Sequence, residues 1–170
     1  METRDAILSR KSIRSYNGQI TDEQINAVLE AANASPVGMG KYEEIQLIVI
    51  KDKALLDELD KNGANFFNNP DAHPLYGAPV LILVVSKENN IADANAAMII
   101  HNMALAATDI GIGSCDIYGA IAGLNTNPAL VKKLSLEDGF KPMAGIVIGQ
   151  TDETISKRNI PADRIKVKYI

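Results

Sequence analysis

Ala92-Asp93-Ala94-Asn95-Ala96-Ala97-Met98-Ile99-Ile100-His101-Asn102-Met103-Ala104-Leu105-Ala106-Ala107-Thr108-Asp109-Ile110 contains neither glycine nor proline. Seven alanines interleave with Met98, Ile99, Ile100, Met103 and Leu105, so the stretch is made largely of strong helix formers and almost every face is apolar or small. A helix that is apolar nearly all round is buried, in the middle of its domain or against another copy of the chain. One domain of 170 residues has little room to cover it completely, and a homodimer is therefore expected. Asp93, Asn95, His101, Asn102 and Asp109 interrupt it too often for a membrane span. His101, alone on an apolar face, reads as a hydrogen-bonded core residue, and Gly111 ends the helix.

On either side, Ile45–Ile50 and Val80–Val85 are apolar at every other step on both alternations, as is Met143–Ile148, and each predicts a strand covered on both faces. Gly113 to Gly119 predicts a short strand passing into a turn. Thr21 with Gln24 forms a capping box for a helix carrying Ile25, Val28, Leu29 and Ala32, which must stop near Ser35-Pro36. Asp52 caps a short helix holding Leu55, Leu56 and Leu59, and Asn127-Pro128 opens a smaller one. Gly63 to Gly77, with Asn65, Asn68, Asn69, Pro70 and Pro74, reads as a long functional loop pinned by Phe66-Phe67. Arg164 to Ile170 alternates polar and apolar residues, which suits an edge strand. The alternation of helices with strands, taken alone, suggests a parallel doubly wound sheet.

Arg10-Lys11-Ser12-Ile13-Arg14-Ser15-Tyr16 sets three cations and two hydroxyls around one buried-type residue. Arginine offers a planar fork of donors that matches a phosphate, lysine a point charge and serine a short hydroxyl. The run reads as an anion clamp, with a solvated charged turn as the other reading. Ile7, Leu8 and Tyr16 anchor its flanks, and Lys157-Arg158 supplies a second cationic pair.

Composition narrows the function. A formal net charge of −4 argues against a general nucleic-acid or anionic-membrane binder. The single cysteine, Cys115, excludes an internal disulfide and a cysteine-rich zinc site, and it fits a reducing compartment. No apolar segment of a signal peptide follows Met1 to Asp5, so a cytoplasmic location is expected. Gly38-Met39-Gly40 and Gly111-Ile112-Gly113 lack the third glycine of a dinucleotide fingerprint, and neither a Walker loop, a zinc helix nor a nucleophile elbow is present. No metal site is expected. An anion clamp without an evident acid, base or nucleophile points to chemistry carried by a phosphorylated cofactor.

Five motifs occur in order: Arg10-x-Ser12-x-Arg14, Ser35-Pro36-x-Gly38, Ala78-Pro79 before an apolar strand, the alanine-rich helix ending in Gly111-x-Gly113-Ser114-Cys115, and a late strand closing in Ile148-Gly149. This ordered set resembles the nitroreductase family of flavin mononucleotide (FMN) enzymes, from about Arg10 to Arg158. The resemblance implies one α+β domain over residues 1–170, with a central, mostly antiparallel sheet flanked by helices. It further implies an intertwined homodimer, with residues 150–170 reaching onto the partner. Carried over by position, Arg10, Lys11 and Ser12 would hold the FMN phosphate with Lys157 and Arg158. Arg14 would face the N1 and C2-carbonyl edge of the flavin. Ser35, Pro36, Val37 and Gly38 would cover the ring from the second subunit, and Asn68 or Asn69 would bond the pyrimidine edge. Ile117, Tyr118 and Gly119 match the segment whose backbone amide points at flavin N5.

The function implied is hydride transfer from NADH or NADPH through the flavin to a nitroaromatic, quinone or enone, in alternating half-reactions. The same fold also hosts flavin fragmentation, dehalogenation and dehydrogenation, and a flavin carrier or redox-sensing protein is the non-enzymatic alternative.

Overall fold

A computed structural model describes all 170 residues. The elements follow in the order α1 (Thr3–Ser9), α2 (Asp22–Asn33), β1 (Ile45–Ile50), α3 (Lys53–Phe66), β2 (Val80–Lys87), α4 (Ala92–Asp109), β3 (Gly113–Ile117), α5 (Gly119–Asn125), α6 (Pro128–Lys132) and β4 (Phe140–Gly149). The strands form one sheet in the order β1-β2-β4-β3, and every pairing is antiparallel. The family resemblance therefore predicts the sheet correctly, and the simple alternation of elements does not.

Two apolar cores lie on opposite faces of this sheet. Side chains alternate along a strand, so Val80, Ile82 and Val84 join α2 and α4 on one face. Leu81, Leu83 and Val85 join α3, α5 and α6 on the other. Strand β2 is buried at all but its last residue. The Thr21–Gln24 capping box and the Asp52 cap are both formed.

Four expectations need correction. Strand β1 is not covered on both faces: it is an edge, and most of its residues are only partly buried. Helix α3 runs on to Phe66 through Gly63. A Cβ at Gly63 would lie 2.7 Å from Pro74 and 2.9 Å from Ala120, so glycine there permits close packing of the helix rather than breaking it. His101 is exposed, on a stripe of α4 shared with Ala94, Ala97 and Met98, and is no core residue. Arg164–Ile170 forms no strand. A strand needs a free edge within reach, and on the β3 side the Ile13 N–H bonds Ser114 O at 2.8 Å, so the N-terminal run lies along that edge. Ile165, Val167, Tyr169 and Ile170 are left exposed.

Candidate functional site

The 10–16 run leaves α1 and crosses the edge of the sheet. Ile13 is its anchor. Its side chain is 1 % exposed, its N–H reaches β3, and its carbonyl accepts the Tyr16 hydroxyl at 2.9 Å. With Ile13 turned inward, Arg10, Ser12 and Arg14 are carried on the outer side. The clamp is thus held by the fold and is not a loose charged turn.

The C-terminal segment closes onto the same place. Arg158 donates its N–H to Leu8 O at 3.1 Å and its Nε to the same carbonyl at 3.0 Å, capping the open end of α1 immediately before Arg10. Desolvation, and after it the nearby Arg10, lowers the Arg158 pKa. Arg10, Arg14 and Arg158 have no carboxylate partner, whereas Lys11 and Lys157 are paired with Glu153 at 3.1 Å and Asp5 at 2.8 Å. Both members of the sequence pair Lys157-Arg158 therefore contact α1, Lys157 through Asp5 and Arg158 through the Leu8 carbonyl. Arg14 donates Nε to the Tyr76 hydroxyl at 3.3 Å and lies 5.7 Å from the centre of that ring.

Beneath the clamp lies β3. Burial pushes the Cys115 thiol up in pKa, against the pull of Ser12, Arg14 and Arg10, so it stays a protonated thiol and not a nucleophile. Burial also raises Asp116, opposed by Arg10 and His101. The strand ends at buried Ile117. Tyr118, 49 % exposed, then stands at the N-terminal boundary of α5 without a side-chain cap bond, and the Gly119 N–H, at the first helical position, has no acceptor within the helix. Phe67 lies against Gly119, where a Cβ would sit 2.4 Å from the ring. Asn68 and Asn69 are thereby held beside this turn, both exposed, Asn68 at φ 52°.

The remaining group, Ser35 to Gly38, is built by α4. Ser35 is fully buried, donates to Ala31 O at 3.0 Å and accepts from the Asn102 side chain at 2.9 Å. The Gly38 N–H bonds Asn95 Oδ1 at 3.0 Å. No hydrogen bond or ion pair joins this turn to the clamp within the chain, and Pro36 remains exposed. Two grooves border the site: one of 790 Å³ runs from Arg14 and Tyr76 past His73 and Lys51, and one of 780 Å³ runs from Tyr118 past Asp93, Val131 and Met143.

Sequence reasoning missed Tyr76, Asn95, Asn102, Asp116 and Glu153. The legible signal was polar residues inside apolar elements: two asparagines in α4 and one aspartate in β3.

A cationic clamp along edge strand β3 of an antiparallel sheet, with a strand-to-helix turn at the end of that strand, is the arrangement of a cofactor-binding α+β domain. The model of the Nitroreductase family matches residues 7–150, and the chain belongs to that family. No curated protein sequence matches it. Among solved structures, a nitroreductase with bound FMN from Bacteroides fragilis is 26 % identical, with a TM-score of 0.84 over 99 % of this chain and 100 % of that one. A second, with bound FMN, from Desulfitobacterium hafniense is 23 % identical, with a TM-score of 0.86 over 100 % and 98 % of the two chains. A putative NADH oxidase from Clostridium acetobutylicum, 23 % identical over 98 % and 100 %, has a TM-score of 0.74. No helix is long and apolar enough to cross a membrane.

Proposed function

We propose that the chain is an FMN-dependent oxidoreductase that takes hydride from NADH or NADPH and delivers it, in alternating half-reactions, to a nitroaromatic, quinone or enone. One observation carries this reading: Arg10 lies near both Arg158 and Arg14 at one edge of the sheet, and none of the three guanidinium groups is tied up in an ion pair. Like charges held together favour an anion between them, and a flavin phosphate is such an anion. The bound FMN of the Bacteroides fragilis relative supports the same choice. When bound, FMN supplies the hydride relay at its N5.

The chain's own residues bind and orient. Arg10, Ser12 and Arg158 hold the phosphate, and Lys11 and Lys157 reach it by exchanging their present partners. Arg14, steadied by Tyr76, faces the N1 and C2-carbonyl edge, where a fixed cation favours negative charge. Asn68 or Asn69 bonds the pyrimidine edge, and the amide at Tyr118-Gly119 addresses N5. Ser35, Pro36, Val37 and Gly38 cover the ring from a second copy. The exposed Ala94, Ala97 and Met98 on α4 and the apolar tail at residues 165–170 support a homodimer in which the tail crosses to the partner.

The test is an anaerobic visible spectrum of the FMN-reconstituted protein before and after NADH, then NADPH. Bleaching of the flavin bands is expected. Bound flavin that neither nucleotide bleaches removes the oxidoreductase reading, and failure to take up FMN removes the clamp as well.

A further inference from the structure

Asp116 stands out in β3. The register sets it opposite Ile146, on the face of the sheet covered by α4, between buried Cys115 and buried Ile117. Its Oδ1 is the one buried side-chain nitrogen or oxygen in the chain that has no hydrogen-bond partner. Buried polar groups are almost always bonded, and an orphan calls for an explanation. Arg10 and His101 act on the carboxyl electrostatically, yet neither bonds it.

Position along the strand says what the missing partner is. On one side lies the phosphate end of the clamp, with Arg10 acting on both Cys115 and Asp116. On the other lies the Tyr118-Gly119 amide, about 7–10 Å away at roughly 3.3 Å of rise per residue. The ligand atoms lying between those points belong to the sugar-alcohol linker that joins ring to phosphate. An ionised carboxylate only accepts hydrogen bonds. The linker's hydroxyls are donors, while the phosphate would be repelled and the ring edge is met by Arg14.

We propose that the Asp116 carboxylate, by turning its unpartnered oxygen toward the site, accepts a hydrogen bond from a ribityl hydroxyl of the flavin, and so reads the linker as Arg10 reads the phosphate. The inference rests on the FMN reading above. It makes Asp116 a cofactor-selecting residue and gives its unpartnered Oδ1 a partner.

The experiment is a fluorescence titration of the apoprotein with FMN, riboflavin and lumiflavin, the last having the ring but no ribityl chain. Wild type, Asp116→Ala and Asp116→Asn are compared, and the apoprotein melting temperatures are recorded. A bond to a charged acceptor predicts that Asp116→Ala weakens FMN and riboflavin about ten- to hundredfold and leaves lumiflavin unchanged. Asp116→Asn keeps an acceptor oxygen and loses less. The Asp116→Ala apoprotein melts no lower than wild type, because an orphaned group has been removed, while the rise in melting temperature on adding FMN shrinks. Unchanged FMN and riboflavin affinity, or equal loss for all three ligands, overturns the inference. If wild type binds riboflavin and lumiflavin equally, the linker is not read at all and the inference falls while the flavin site stands. If it binds none of the three, the FMN reading itself has failed.

Discussion

The Glu153 carboxylate accepts the backbone N–H of Arg14 at 2.9 Å, across 139 residues of chain, and its other oxygen holds the Lys11 ammonium at 3.1 Å. One acidic side chain beyond β4 thus fastens both halves of the clamp and brings the C-terminal segment with it. The Arg14 N–H and then Lys11 lower the Glu153 pKa below its ordinary 4.5. A depressed acid contributes stability that is complete above its unfolded value and is lost as pH falls through the folded one. Glu153→Gln should therefore melt below wild type at pH 7, and the difference should vanish below the lowered value. Melting curves from pH 7 downward check this; a gap that does not narrow as the pH falls below 4.5 counts against the role.

On the proposed reading, Arg10 and Arg14 divide the work. Arg10→Ala should weaken FMN about ten- to hundredfold, the scale of a lost charge-assisted bond, with little change in reduction rate once FMN saturates. Arg14→Ala should slow flavin reduction by NADH about tenfold or more at saturating FMN. Stopped-flow absorbance separates the two effects, and an unchanged rate in Arg14→Ala would sink its electrostatic role.

Gly113 leaves room for the anchor of the clamp. A Cβ there would lie 2.8 Å from Ile13 Cγ2 and 3.1 Å from both Thr151 and Tyr16. Ile13 is buried and cannot swing into solvent. Gly113→Ala should cost about 1–3 kcal/mol, the usual range for overpacking a filled core, and should loosen FMN. Urea unfolding with an unchanged slope would measure the first effect and fluorescence titration the second.

The structure also explains why some features were readable in the sequence and others were not. Caps and buried strands are local: Thr21 with Gln24, Asp52 and the apolar run Val80–Val85 each carry their own signal. Helix α3 was read short because glycine is a weak helix former, whereas packing against Pro74 and Ala120 decides at Gly63. The clamp was legible as charge, but the bonds that select its working members join residues 139 to 150 apart and leave no local trace. The tail at 164–170 has a strand's pattern and no strand: on the β3 side of the sheet the N-terminal run already bonds the edge through Ile13.

Asp116 gives a second pH signature, of opposite sign to Glu153. Burial raises its pKa above the ordinary 3.8. The fold therefore disfavours the charged form, and stability is lost as pH rises from the unfolded value through the raised one. The apoprotein of Asp116→Asn carries no such charge. It should melt above wild type at pH 7, with the gap closing as pH approaches 3.8, which calorimetry of the two apoproteins would record. A gap that is constant with pH, or of the opposite sign, would mean that burial does not disfavour the Asp116 carboxylate in the apoprotein.

Helix α4 yields the last prediction. Ala94, Ala97, Met98 and His101 form its exposed stripe, while Asn95 and Asn102 on its inner side hold the Ser35–Gly38 turn. If the stripe is the seam between two copies, burying a charge there without a partner is strongly unfavourable. Met98→Glu should then sediment as a monomer at concentrations where wild type is a dimer. FMN should be lost with it, because on the reading proposed above the Ser35–Gly38 turn of a second copy covers the ring. The clamp itself lies on β3 and the C-terminal segment, so the far-ultraviolet spectrum should stay unchanged. A Met98→Glu protein that remains dimeric and yellow would move the seam off α4. One that is monomeric yet still holds FMN with wild-type affinity would make the site complete within a single chain.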